Sequence, residues 1–145
     1  MHRRVVITGL GAVTPLGLTV PELWDNLLKG VSGVAPITHF DTSDFAVKIA
    51  AEVKGFDPEN YLGKKEVRRT DRFVQLAVAA ARMAVDDASL IIDKDNAEEI
   101  GVYIGSGVGG IGTVEEQAKV LSERGPSRVS PFMVPMMIDT RGASF

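Results

Sequence analysis

Apolar positions along this chain fall into two kinds of pattern, short continuous runs and longer stretches at helical spacing. Val5-Val6-Ile7-Thr8 is a β-branched run closed by Gly9-Leu10-Gly11. Loss of polar alternation in so short a run suits a buried parallel strand, both of whose faces are covered. From Thr19 the period changes. Leu23, Trp24, Leu27 and Leu28 form an apolar stripe, Thr19 with Glu22 supplies a capping box, and Gly30 supplies a stop. Lys48 to Val53 reads as a second strand, and Asp57-Pro58 as the cap and first residue of a brief helix. The strongest signal runs from Asp71 to Ala88, where Phe73, Leu76, Ala77, Ala80, Ala81, Ala84 and Val85 recur at helical spacing among good helix formers. Apolar surface on most sides of that helix predicts burial on more than one face.

An acidic turn from Asp93 to Glu99 leads into Gly101-Val102-Tyr103-Ile104, a third short strand, and then into Gly105-Ser106-Gly107-Val108-Gly109-Gly110. A helix is expected over about Thr113 to Arg124, closed by Gly125-Pro126, and Ser130-Pro131 has the chemistry to open a last helical segment through Met137. Strands alternating with helices predict an α/β architecture around a largely parallel sheet. No internal repeat, low-complexity tract or flexible linker interrupts it.

Composition narrows the function classes. The length of 145 residues suits one domain. Sixteen Lys and Arg against nineteen Asp and Glu leave a net charge of -3, which argues against nucleic acid as a partner. The basic-then-apolar opening, His2-Arg3-Arg4 before Val5, is cut short by Thr8-Gly9, too early for a signal peptide or a membrane span. There is no cysteine, so disulfides, Cys-ligated zinc and a thiolate nucleophile are excluded within these residues, and a cytoplasmic setting is the expectation.

Three features carry candidate chemistry. Gly105, Gly107 and Gly110 satisfy G-x-G-x-x-G between a strand and a helix, the setting of a dinucleotide site. The acidic residue about twenty positions on should end a second strand, yet Glu123 falls inside the expected helix. Close backbone approach or positive φ is the better reason for these glycines. Lys64, Lys65, Arg68, Arg69 and Arg72 put five positive charges in nine residues. On a continuous helix Lys65, Arg68, Arg69 and Arg72 would share one face, either as a plain solvated helix end or as a docking ridge for an acidic protein. His2 and His39, the two histidines, lack the neighbours of a triad or a metal site.

Several segments, taken in order, carry a resemblance: Val5-Val6-Ile7-Thr8-Gly9-Leu10-Gly11, His39-Phe40-Asp41-Thr42-Ser43, Arg68-Arg69-Thr70-Asp71-Arg72-Phe73, Ile104-Gly105-Ser106-Gly107 with Gly109-Gly110, and Ser130-Pro131-Phe132 with Val134-Pro135. Together they resemble the 3-oxoacyl-(acyl carrier protein) synthases of the beta-ketoacyl synthase family, from Arg3 to about Ile138. The resemblance implies a thiolase-like layered αβαβα architecture, of which this chain would hold an incomplete first half, usually assembled as a homodimer. It implies fatty-acid elongation by decarboxylating Claisen condensation of an acyl thioester with malonyl-acyl carrier protein, with no cofactor and no metal. Such chemistry needs a low-pKa thiolate and oxyanion donors. The family's nucleophilic cysteine is expected beyond this sequence and its catalytic histidines in the second half, so no catalytic residue is expected here and this chain by itself should be inactive.

Peripheral residues are what the resemblance carries over. Lys65, Arg68 and Arg69 match the family's basic patch for the acidic acyl carrier protein, and Arg128 stands where a further cation belongs. Val108 and Met133 match positions that line the acyl pocket; Met133 is smaller and more flexible than the aromatic residue common there. After Ile138 the sequence Asp139-Thr140-Arg141-Gly142-Ala143-Ser144-Phe145 departs from the family pattern, so residues 1–138 are read as the synthase region and 139–145 as a divergent tail. Two other readings are a noncatalytic module that binds carrier protein or pairs with a synthase, and a nicotinamide-dependent reductase built on the glycine motif.

Overall fold

The structure, a computed structural model, describes residues 3–138. His2 and the expected tail, 139–145, lie outside the described residues. The chain divides into two compact units, one made of the residues up to Asp57 with Ala80–Leu90, the other of Pro58–Ala79 with the residues from Ile91 onward. Along the chain come α1 (Val20–Leu28), β1 (Val34–Pro36), β2 (Ile49–Ala51), α2 (Lys64–Val67), α3 (Arg72–Asp87), α4 (Ile111–Arg124) and α5 (Met133–Ile138), with 3-10 turns at Pro58–Asn60, Ala97–Glu99 and Pro126–Arg128.

In the first unit, local chemistry sets the bounds of α1. The Thr19 hydroxyl accepts the Glu22 N–H at 3.3 Å, and the Glu22 carboxylate accepts the Leu18 N–H at 2.8 Å, one residue earlier than a standard capping box would place it. At the other end Gly30, at φ +65°, donates to Leu27 O while Val31 N–H donates to Asn26 O at 3.0 Å, which makes a Schellman closure. The apolar stripe expected to be buried is instead open: Trp24, Leu27 and Leu28 are all exposed. β1 and β2 pair antiparallel, with Ala35 opposite Ala50. Glu52 closes this hairpin by accepting Thr38 N–H (2.9 Å), Thr38 Oγ1–H (2.7 Å) and His39 N–H (3.3 Å). The Thr38 hydroxyl, then the Thr38 amide, hold the Glu52 carboxyl below the usual glutamate range.

Gly9 and Gly11 lie on the second half of α3. A Cβ built on Gly11 would stand 1.9 Å from Ala80 O, and one on Gly9 2.2 Å from Ala84 O and 2.8 Å from the Ala88 Cβ. Glycine and alanine therefore meet backbone to backbone, which explains the alanines at four-residue spacing in that half. The Leu10 N–H donates to the Asp87 carboxylate at 2.8 Å and fixes the register.

The second unit has its apolar core around the first half of α3, where Leu62, Val74 and Val78 are buried together with Val67 and Phe73 packed against them. Each such side chain contributes at most about 1.5–3 kcal/mol by leaving water. Gln75 is buried in this core with both donors of its amide used, to Val67 O (3.1 Å) and Thr70 O (3.0 Å), so it pins the chain between α2 and α3.

Two expectations change here. Val5–Thr8 and Gly101–Ile104 are not strands: Val5 is 92% and Tyr103 100% exposed, and the one sheet among the described residues is the two-stranded β1-β2 pair. A strand exists only through a neighbour that takes its N–H and C=O groups, and among the described residues neither run has a ladder of backbone hydrogen bonds. The largely parallel sheet is accordingly not formed within these residues. No helix among them is long and apolar enough to cross a membrane.

Candidate functional site

The basic segment, the glycine loop and the start of α5 all belong to the second unit. Lys64 pairs with Glu59 at 3.6 Å, whereas Lys65 and Arg68 are exposed and make no ion pair among the described residues. Helix α2 is a single turn with Arg68 at its C-cap, and α3 starts anew at Arg72. The continuous cationic face expected from Lys65 to Arg72 is therefore broken, because Gln75 holds the carbonyls of Val67 and Thr70 in a turn between the two helices. Lys65, Arg68 and Arg69 remain close along the chain at the exit of α2.

Arg69 does more than face water. Its guanidinium carbon stands 5.0 Å from the centroid of the Phe132 ring, a cation–π contact. Phe132 immediately precedes α5, and its carbonyl accepts the Met136 N–H at 2.9 Å, the first helical bond of that element. The fold thus joins the basic segment to the residue next to Met133, which is half-buried at the first position of α5. Arg128 is exposed on the 3-10 turn that packs against α4.

Two residues away, Asp71 reaches α4. Its Oδ2 accepts the Thr113 N–H at 3.3 Å and the Thr113 hydroxyl, and Thr113 is buried. Helix α4 has Gly110 at its N-cap, a residue without a capping side chain, so the carboxylate of Asp71 caps it from 42 positions away. Sequence reading missed this role; the available signal was a helix start lacking Ser, Thr, Asp or Asn.

The glycine loop is held by the same neighbours. Gly109 has φ +72°, and a Cβ there would stand 2.5 Å from Met137 O; one on Gly110 would stand 2.7 Å from the Asp71 carboxylate. Gly110 N–H donates to Met137 O at 3.1 Å. Close approach and positive φ are thus the reasons for these two glycines, whereas Gly105 and Gly107 face open space. The dinucleotide reading loses its physical basis, since the anion position at the start of α4 is filled by Asp71 and the Gly110 amide is spent on α5. Val108, next to Gly109, is exposed; it and Met133 sit on segments tied together through Met137. Among the described residues no group of three or more His, Asp or Glu side chains has the geometry to hold a metal ion.

Comparison with known proteins matches residues 2–144 to the family model described as "Beta-ketoacyl synthase, N-terminal domain". Curated relatives include the 3-oxoacyl-[acyl-carrier-protein] synthase 2 of Synechocystis sp., 52% identical over 136 residues, and that of Staphylococcus aureus, 53% identical over 137 residues. In both cases the match takes in 94% of this chain and 33% of the relative, so the chain spans about a third of their length. Among solved structures, the ishigamide ketosynthase/chain length factor superposes with a TM-score of 0.78 at 33% identity, covering 94% of this chain and 34% of that one.

Proposed function

The chain belongs to the beta-ketoacyl synthase family, whose N-terminal domain it carries within the α/β, thiolase-like ketosynthase fold, and from that premise we propose that it is part of a 3-oxoacyl-(acyl carrier protein) synthase that elongates fatty acids. The observation that carries this reading is identity above one half, sustained over 94% of the chain, to synthases named for that reaction.

In the whole enzyme an acyl group on a cysteine sulfur would be attacked by the carbanion left when malonyl-acyl carrier protein loses carbon dioxide; the new carbon–carbon bond releases the sulfur as thiolate. This chain has no cysteine, so its own part is to dock and to shape. Lys65, Arg68 and Arg69, with Arg128, present exposed cations to the acidic carrier protein, whose approach they speed and orient. Val108 and Met133 stand in the wall of the acyl pocket. The working assembly is a cytoplasmic homodimer, and residues 1–138 are its synthase region.

Binding of acyl carrier protein to the purified chain, measured by titration calorimetry at low and moderate salt, tests the docking surface. Arg68→Glu and Lys65→Glu should each weaken binding by about tenfold at low salt, with a smaller difference as salt rises. Affinity unchanged in both variants would remove the basic segment from carrier recognition.

A further inference from the structure

Arg69 belongs to two structures at once, the exposed basic segment and the contact with Phe132. From Phe132 direct contacts continue inward. Its carbonyl starts the hydrogen-bonding of α5, Met133 is the next residue, and the Met137 carbonyl on the same helix accepts the Gly110 N–H of the loop that bears Val108. Asp71, from the same basic segment, holds the start of α4 where that loop ends. Thus Arg69 touches the residue that precedes α5 and Asp71 holds the third residue of α4, while Met133 follows Phe132 directly and Val108 lies in the loop that leads into α4.

The geometry points to Phe132 as a positioning residue that links occupancy of the Lys65–Arg69 surface to the placement of Met133, an inference that rests on the docking reading above. A carboxylate of the partner competes with the Phe132 ring for the Arg69 guanidinium. The competition is unequal, because a charge-assisted, bidentate hydrogen bond is stronger than a cation–π contact to a ring that is 42% exposed. Docking therefore re-aims the guanidinium, and the ring, released on one face, moves the backbone turn that supplies the first bond of α5. Met133 follows as the adjoining residue, and the Met137 to Gly110 hydrogen bond passes the shift to the Val108 loop. The coupling needs no action at a distance, only packed neighbours with two arrangements of one arginine.

The test uses the full chain labelled with 13C at its methionine methyls and titrated with apo acyl carrier protein. In the wild-type chain the Met133 methyl resonance should move along a saturable curve with the same dissociation constant as binding, while Met83, in the other unit, stays in place and reports intact folding. Phe132→Leu keeps every charge, so its dissociation constant should stay within about twofold, yet its Met133 shift should fall below about one third of the wild-type value. Arg69→Lys keeps the charge and loses the planar guanidinium, and should lose most of the Met133 response as well. If Met133 stays in place while the wild type binds, or moves as far in Phe132→Leu as in the wild type, the link is overturned and the docking surface still stands. Absence of saturable binding by the wild type overturns the docking reading and the link with it.

Discussion

Removing one carboxylate should unfasten a helix whose third residue, Thr113, lies 42 positions further along the chain. In Asp71→Ala, α4 loses the acceptor for the amide of its third residue, Thr113, and the hydroxyl of that residue, which is only 6% exposed, is left without its partner. Loss of a cap costs about 0.5–2 kcal/mol, and an orphaned buried donor about 1–3 kcal/mol. Because the two overlap at one residue, a total of about 2–4 kcal/mol is expected, a large share of the roughly 5–15 kcal/mol that holds an ordinary domain together. Asp71→Asn keeps one acceptor oxygen and loses only the charge facing the helix start, so about 1 kcal/mol is expected. Urea denaturation followed by far-ultraviolet circular dichroism reads the difference. With a slope of about 2 kcal/mol per molar, the alanine variant should unfold at a urea concentration about 1–2 M lower. A midpoint unchanged in Asp71→Ala, or an Asp71→Asn as costly as the alanine, would refute the capping argument.

Two further predictions concern the glycine loop and the hairpin. Gly109→Ala places a Cβ 2.5 Å from Met137 O at φ +72° and should cost more than about 2 kcal/mol, whereas Gly107→Ala, which meets nothing within 4 Å, should change the melting temperature little. Equal melting temperatures would contradict the packing account. Glu52 has its folded pKa lowered by the Thr38 donors, so its contribution to stability is complete above the unfolded glutamate value and is lost as pH falls through the folded value. The Thr38 and His39 amide resonances should titrate together with a midpoint below the ordinary glutamate range; a midpoint at or above that range would contradict it.

Helices were legible in the sequence because their signals are local. Thr19, Gly30 and Gly125 bound α1 and α4, and α3 was expected over Asp71 to Ala88 and is found over Arg72–Asp87. Strands were legible only in part: Lys48 to Val53 was expected and β2 is found at Ile49–Ala51, but Val5 to Thr8 and Gly101 to Ile104 form no ladder among the described residues, since β-branched runs record a fitness for pairing and the partner lies elsewhere in sequence. The basic cluster was legible as charge, but its break at the exit of α2 depends on Gln75, a polar residue inside a helical pattern whose two bonds pin the intervening turn. The Asp71 cap and the Arg69–Phe132 contact went unread for the same reason: each reaches a helix start far along the chain, and no spacing rule joins the two ends.

The exposed apolar runs follow from the same distinction. Hydrophobic residues make up 45% of the sequence, yet among the described residues the buried ones are Leu62, Val74, Val78 and Ala79. Val5, Ile7, Trp24, Leu28 and Tyr103 are open to solvent, although their segments have the composition of interior elements. A cap, a Schellman turn or an alanine face meeting glycines is complete within one unit, so those features form. A parallel strand or an apolar helix stripe is half of an interface. This chain spans 33% of the relatives, which have about two thirds of their length outside the matched region. The division between features complete in themselves and half-interfaces explains why the structure keeps the basic segment and the two helix starts in order while its strand-like runs have no ladder among the described residues: the first depend on contacts within 58–79 and 91–138, and the second on ladder partners outside their own segments.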